Sequence, residues 1–142
     1  MALLNLAGTR PNRLGPQADG RLRPCRSAGN CVCSQHMLAG RDPGAGHIQP
    51  FRYAGRGADA MTRLLAVLLQ QPRCTVVTYG ASYFHAEFRS ATLGLVDDVE
   101  FLLAESESVI HLRSASRLWP SDFGINRARL EELRLAFDTI DE

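Results

Sequence analysis

The chain has 142 residues, of which 45% are hydrophobic and 22% are charged, a composition typical of one globular domain with a single core. No apolar run approaches the ~18 residues that a membrane-spanning helix needs, so the sequence predicts no transmembrane segment. The net charge of +1 gives no global reason to expect nucleic acid as a partner.

Glycine, proline and arginine dominate residues 1–46, which predicts an irregular N-terminal arm followed by a single α+β domain over residues 47–142. Residues 1–58 hold eight arginines against Asp19 and Asp42, a net charge of +6, whereas the remainder carries eight arginines against 13 acids, a net charge of −5. Opposite charges indicate that the arm lies on the acidic body. The alternative is a solvated leader over residues 1–22, because such a composition buries little surface.

The first seven residues are apolar, but no basic segment precedes them and no cleavage site directly follows. They therefore do not match a secretory signal. The sequence predicts a cytoplasmic location, or an exported protein if the true N-terminus lies upstream.

Three cysteines and a histidine lie close together in the arm. Cys25, Cys31, Cys33 and His36 have the spacing C-x5-C-x-C-x2-H, which lacks the C-x2-C knuckle of common zinc sites. Three interpretations remain open: a Cys25–Cys31 disulfide, reduced thiols, and a metal site. Five intervening residues can turn back within the ~4.4–6.8 Å Cα separation that a disulfide requires, so we expect Cys25 and Cys31 to lie close enough to bridge. No metal or cofactor is predicted.

A short strand and a helix open the predicted domain. Residues 47–53 form the strand, which Pro50 confines to a sheet edge. Asp59 is the predicted cap of a helix over residues 60–71. Its core face holds Met61, Leu64, Leu65 and Leu68.

The next predicted element is a β-hairpin of residues 73–79 and 82–89, joined through Gly80 and Ala81. In its second strand, apolar residues alternate with Tyr83, His85, Glu87 and Arg89. One face of this strand is therefore apolar and the other ionisable.

A second hairpin comprises residues 96–103 and 108–117 around a turn at residues 104–107. Pairing Leu103 with Ser108 would place Glu100 opposite His111 and Asp98 opposite Arg113. Two complementary pairs then share one register, which favours this hairpin.

Asn126 is the predicted cap of a last helix, whose Leu130, Leu133, Phe137 and Ile140 lie on one stripe. The element order predicts an α+β fold, with a curved antiparallel sheet of about five strands and two helices on one face. Such an order is typical of the TATA-binding-protein-like and helix-grip architectures.

One face of the predicted sheet collects ionisable side chains. They are His85, Glu87, Arg89, Asp98, Glu100, His111, Arg113 and Arg117. Three interpretations are open: a solvated, ion-paired face, which is ordinary for antiparallel sheets, a surface that binds a ligand or partner, and an acid–base catalytic site. The sequence contains no Gly-rich phosphate loop after a strand, no G-x-S-x-G and no H-E-x-x-H.

Several strings resemble a known family. They include Gly8-Thr-Arg-Pro11, Val96-Asp-Asp-Val-Glu-Phe101, Arg113-Ser-Ala-Ser-Arg117 and Ser121-Asp-Phe-Gly-Ile-Asn-Arg127. Over nearly the whole chain the sequence resembles the proteins grouped as domain of unknown function 1499, which occur in bacteria and plastid-bearing organisms. The resemblance carries over no activity. It adds Asp122, Asn126 and Arg127 to the candidate site residues, although Asp122 and Asn126 are also what a loop entering a helix needs.

The function that these observations predict is a non-enzymatic binding or accessory module. Its polar sheet face would take a small ligand or a protein partner. The alternative is a hydrolase-like enzyme that uses His85 or His111 with Glu87 or Glu100 as acid and base. A purely structural adaptor is a third hypothesis.

Overall fold

The structure, a computed structural model, describes residues 7–35, 46–118 and 121–140. These residues form a six-stranded antiparallel sheet and two α-helices, which confirms the predicted α+β class. The strands are β1 (Cys31–Cys33), β2 (Phe51–Arg52), β3 (Cys74–Tyr79), β4 (Tyr83–Arg89), β5 (Val96–Ala104) and β6 (Val109–Ser116), and the helices are α1 (Gly57–Leu69) and α2 (Ile125–Thr139). The strand order is β1-β6-β5-β4-β3, and β2 also pairs with β6. His36, one of the four residues of the cysteine–histidine cluster, lies outside the described residues.

The main core lies between the two helices and the apolar face of the sheet. Phe51 stands at its centre, with its ring centroid 5.3 Å from that of Phe137 on α2 and 6.0 Å from that of Phe101 on β5. Leu64 of α1 and Leu112 of β6 are fully buried in the same cluster. Both helices therefore cover one face of the sheet, as predicted.

Helix α1 begins three residues earlier than the sequence predicts. Its N-cap is Arg56, whose side chain makes no capping hydrogen bond, and Asp59 lies inside the first turn. A Cβ atom at Gly57 would lie 2.9 Å from the Tyr53 hydroxyl and 3.0 Å from a Leu103 methyl, so a larger residue would require these side chains to move. The predicted Asp59 cap is therefore wrong, because the helix already begins at Gly57 and Asp59 lies within its first turn.

Asn126 is not the cap of α2 either. The cap is Gly124, with a φ of +82°, and the Asp122 carboxylate accepts hydrogen bonds from the backbone N–H groups of Gly124 (2.8 Å) and Asn126 (3.2 Å). The fully buried Asn126 side chain instead donates to the Ser116 hydroxyl at 2.9 Å and accepts a 2.5 Å hydrogen bond from Ser114. Asp122 thus supplies the capping that the sequence assigned to Asn126.

The pairing of β5 with β6 differs from the predicted register. Ala104 pairs with Val109, so Glu100 lies opposite Arg113, and the predicted Glu100–His111 and Asp98–Arg113 pairs are wrong. The reason is the turn: Glu105–Glu107 form a 3-10 helix, and Ser108 has a φ of +53°, which no strand residue adopts. The turn lies one residue later than predicted, so each β5 residue pairs with the β6 residue two positions beyond its predicted partner. A shift of two residues keeps every side chain on its predicted face.

The described part of the arm lies on the face of the sheet opposite the helices. Three of its residues form β1, which pairs with β6, although the sequence predicts irregular structure there. Cys25 and Cys31 form a disulfide with their Cα atoms 5.6 Å apart, and together with Leu22, Cys33 and Leu102 they form a second buried cluster. This face is therefore covered by the arm. The domain boundary at residue 47 stays a prediction.

Neither α1 nor α2 is long and apolar enough to cross a membrane, and the described residues contain no other α-helix.

Candidate functional site

Three carboxylates meet on the sheet face that the arm covers. Glu87 lies opposite Asp98 across the β4–β5 pair, and Glu100 is two residues further along β5, so strand alternation puts all three on one face. Asp98 is only 2% exposed and Glu100 only 1%. Carboxylates buried this deeply need positive partners or hydrogen-bond donors, since burial of an unpaired charge is costly.

Asp98 has two such partners. Arg117 donates from Nε to Oδ2 at 2.7 Å and from Nη2 to Oδ1 at 2.8 Å, and His85 Nε2 lies 2.8 Å from Oδ1. Burial raises the pKa of Asp98, but the hydrogen bonds from Arg117 and His85 outweigh this effect and hold it below its usual range. Asp98 is therefore ionised at neutral pH.

Glu87 joins the arm to the sheet. Arg10 donates to it from Nε at 2.7 Å and from Nη2 at 3.1 Å, and Arg117 Nη2 donates to the same carboxylate. The hydrogen bond from Arg10 lowers the pKa of Glu87, with a further contribution from Arg117 against the opposing effect of burial. Arg117 thus contacts carboxylates on both β4 and β5.

Glu100 is held by three donors. The Tyr83 hydroxyl donates to Oε2 at 2.5 Å, the Gly15 backbone N–H donates to the same oxygen at 2.7 Å, and Arg113 Nη1 lies 3.5 Å from Oε1. Burial and the neighbouring Glu100 raise the pKa of Tyr83, so its phenol remains a donor. Sequence reasoning missed Tyr83, Arg10 and Gly15 as site residues. The alternation along β4 already placed Tyr83 beside His85, whereas the arm offered no periodic pattern.

Between the arm and this sheet face lies a cavity of about 540 Å³. Five arginines line it: Arg13, Arg23 and Arg26 from the arm, with Arg113 and Arg117 from β6 and the residue that follows it. Asp98 is the one carboxylate among the lining residues that the structure describes. Arg113 Nε is buried, and no described residue accepts a hydrogen bond from it. We call this space the arginine cavity.

Comparison with known families adds one result. A family model described as "Protein of unknown function (DUF1499)" matches residues 21–137. The chain belongs to this family. No curated protein matches the chain. The DUF1499 match covers all six strands, helix α1 and helix α2 as far as Phe137, but it begins after Arg10, Arg13 and Gly15.

One group in this DUF1499 protein has the residue types of a metal site. Ligand atoms of His85, Glu87 and Asp98 lie within 4.8 Å of one another. Arg117, however, donates hydrogen bonds to both carboxylates, and His85 already contacts Asp98. A guanidinium thus supplies the positive charge that a metal ion would supply, so these residues do not fit an ion in this arrangement.

The structure separates the other predicted site residues from this cluster. His111 contacts the Ser34 hydroxyl through Nδ1 at 2.9 Å and Glu107 through Nε2 at 2.8 Å, near the opposite end of β6. Arg89 is exposed and donates to the Gly94 carbonyl at 3.1 Å. Arg127 donates to the His47 carbonyl at 2.6 Å, and Asp122 and Asn126 lie at the start of α2.

Proposed function

We propose that this DUF1499 protein is a binding module that holds a small anionic ligand, such as a phosphate or carboxylate compound, in the arginine cavity. The observation that carries the proposal is the wall of the cavity, in which five guanidinium groups accompany one carboxylate. The planar guanidinium group presents parallel N–H donors that can bind two oxygens of a carboxylate or a phosphate at once. The volume of about 540 Å³ lies within the ~300–1,000 Å³ typical of small-molecule sites.

Among the described residues, the five arginines of the cavity wall outnumber the three carboxylates that pair with them, namely Asp98, Glu87 and Glu100. Asp98 is already engaged by Arg117 and His85. Over residues 7–35, 46–118 and 121–140, Arg13, Arg23 and Arg26 form no ion pair with a carboxylate. Their positive charge is therefore left for a ligand, and a concave site strengthens its effect by limiting solvent screening.

Arg113 supports the same conclusion. Its contact with Glu100, at 3.5 Å, is long for a hydrogen bond between charged groups, and its Nε donates to no described acceptor. Buried guanidinium groups normally have acceptors for their N–H groups. An anion bound at this wall would give Arg113 Nε an acceptor that none of the described residues provides.

The hydrolase alternative has one observation in its favour, the 2.8 Å contact between His85 and Asp98. His85 is only 3% exposed, however, and it is not among the residues that line the cavity. Burial raises the pKa of Cys74 to about 11 against an opposing effect of Arg129, so this thiol is not activated as a nucleophile. Ligand binding therefore has more support than catalysis.

Calorimetric titration with inorganic phosphate, pyrophosphate and citrate at constant ionic strength tests the proposal. We expect saturable binding of at least one of these anions. The double variant Arg13→Gln/Arg26→Gln should weaken it at least tenfold, because both side chains line the cavity and have no carboxylate partner among the described residues. The matched control is Arg52→Gln, which removes an exposed arginine on β2 outside the cavity.

Two results would overturn the proposal. One is the absence of saturable binding for all three anions. The other is an equal loss of affinity in the Arg52→Gln control, which would mean that the anions respond only to net charge.

A further inference from the structure

A second cavity, of about 560 Å³, lies between residues of the β4–β5 loop and residues 116–118 and 121–125 at the end of β6 and the start of α2. Six apolar side chains line it: Leu93, Leu95, Val96, Leu118, Phe123 and Ile125. Four of them are exposed, namely Leu93, Leu118, Phe123 and Ile125. A soluble domain seldom groups exposed large apolar side chains around one concavity without a binding role. We call this space the apolar cleft.

The charged side chains of the cleft already have ion-pair or hydrogen-bond partners among the described residues. Arg129 lies 2.8 Å from Asp97, and Arg117 binds Asp98 and Glu87 on the other face of the sheet. Asp122 accepts the backbone N–H groups at the start of α2. The guanidinium groups that line the cleft thus have carboxylate partners and the Asp122 carboxylate has backbone donors, whereas Arg13, Arg23 and Arg26 of the arginine cavity have no carboxylate partner among the described residues.

The polar hydroxyl groups of the cleft are engaged as well. Ser90 accepts the Leu95 N–H at 2.9 Å, and Ser116 accepts from the Asn126 amide at 2.9 Å. The cleft therefore complements an uncharged, apolar occupant.

Phe123 is an independent sign of function at the rim of this cleft. Its side chain is 92% exposed and its φ is +53°, a left-handed conformation that is unusual for a bulky residue. The backbone is held there because the Asp122 carboxylate accepts the N–H of the next residue, Gly124, at 2.8 Å. Strained residues concentrate at functional sites, and here the strain presents an aromatic ring to solvent beside an apolar cavity.

We propose that the apolar cleft binds the hydrocarbon chain of a small neutral ligand. A volume of about 560 Å³ is typical of small-molecule sites, which are mostly apolar, and both arginines of the lining already bind carboxylates of the protein. The cleft shares Ser116 and Arg117 with the arginine cavity, but its six apolar lining residues do not line that cavity. Failure of one binding test therefore does not decide the other.

Titration of the full chain with hexanol, octanol and decanol tests the proposal. Calorimetry should show saturable 1:1 binding that strengthens by roughly fourfold for each added methylene group.

The double variant Leu93→Asn/Phe123→Asn should weaken decanol binding at least tenfold. Both positions are exposed, so folding should persist, and asparagine tolerates the left-handed backbone at position 123. Leu135→Asn is the control, because Leu135 is an equally large exposed residue on α2 that lies outside the cleft. Its decanol affinity should match that of the wild type.

Three results would overturn the proposal: no saturable binding, affinity independent of chain length, or full affinity in the double variant. Light scattering on the wild type and the double variant adds a further check. If the wild type is a dimer and the double variant is a monomer, a second copy of the chain occupies the cleft. That result would also overturn the proposal.

Discussion

Arg117 binds Asp98 through two parallel hydrogen bonds, from Nε to Oδ2 at 2.7 Å and from Nη2 to Oδ1 at 2.8 Å. The Asp98 side chain is 2% exposed and that of Arg117 is 7% exposed. The pair therefore lies beneath the arm and contributes to one wall of the arginine cavity. A bidentate pair that is this well buried fixes the positions of both groups.

Removal of Arg117 should strongly destabilise the fold. Arg117→Met leaves Asp98 buried with only His85 as a partner and deprives Glu87 of one donor, so we expect a loss of about 3–5 kcal/mol in the free energy of unfolding. Denaturant unfolding measures it. Arg52→Met, at an exposed position, should change stability by less than about 0.5 kcal/mol. A similarly small loss for Arg117→Met would show that the pair is not important for stability.

The same carboxylates should make the fold sensitive to acid. The folded-state pKa values of Asp98 and Glu87 are lowered, so their stabilisation is complete above the unfolded values of ~3.9 and ~4.3 and is lost as the pH falls through the lower folded values. Stability measured in urea should decrease below about pH 4. The Asp98→Asn variant should lose less unfolding free energy than the wild type over this pH range. An equal pH dependence of stability in the two proteins would contradict the role assigned to Asp98.

The core face of α1 gives a third prediction. The sequence placed Leu64 and Leu65 together on this face, but Leu64 is fully buried and Leu65 only partly buried against the cluster. Leu64→Ala should cost about 2–5 kcal/mol, because it removes apolar burial and leaves a cavity. Thermal melting of both alanine variants checks this, and a larger loss for Leu65→Ala would mean that the helix is rotated.

The disulfide ties the arm beside β1, so its state is measurable by thiol counting. Protein purified without reductant and then denatured should show two fewer reactive thiols than after reduction, since Cys25 and Cys31 are bridged. The double variant Cys25→Ser/Cys31→Ser should show the same count before and after reduction. Equal counts in the wild type would exclude the bridge in the purified protein.

The residues of the polar face could be predicted because strand alternation has a period of two. His85, Glu87, Asp98, Glu100 and Arg113 all lie on the face that the sequence assigned to them. Their partners could not be predicted, since the register depends on where the turn begins, and the left-handed Ser108 moves each pair by two residues. Arg117, rather than Arg113, therefore binds Asp98.

The arm that covers this face shows a second limit of prediction from the sequence. The opposite charges of the arm and the body indicated attraction, which agrees with the contact between Arg10 and Glu87. Charge alone does not specify geometry, however, and an irregular segment has no periodicity from which contacts such as Gly15 to Glu100 could be derived. The arginine cavity arises from the way the arm crosses the sheet, which local sequence patterns do not encode.

Nuclear magnetic resonance of the arginine side chains during a phosphate titration tests the central claim most directly, because it reports where the anion binds. The Nε–H resonances of Arg13, Arg23 and Arg113 should shift together and saturate with one dissociation constant, while those of Arg52 and Arg56, outside the cavity, stay in place. Equal shifts at all arginines, or saturable shifts confined to Arg52 and Arg56, would contradict an anion site between the arm and the sheet.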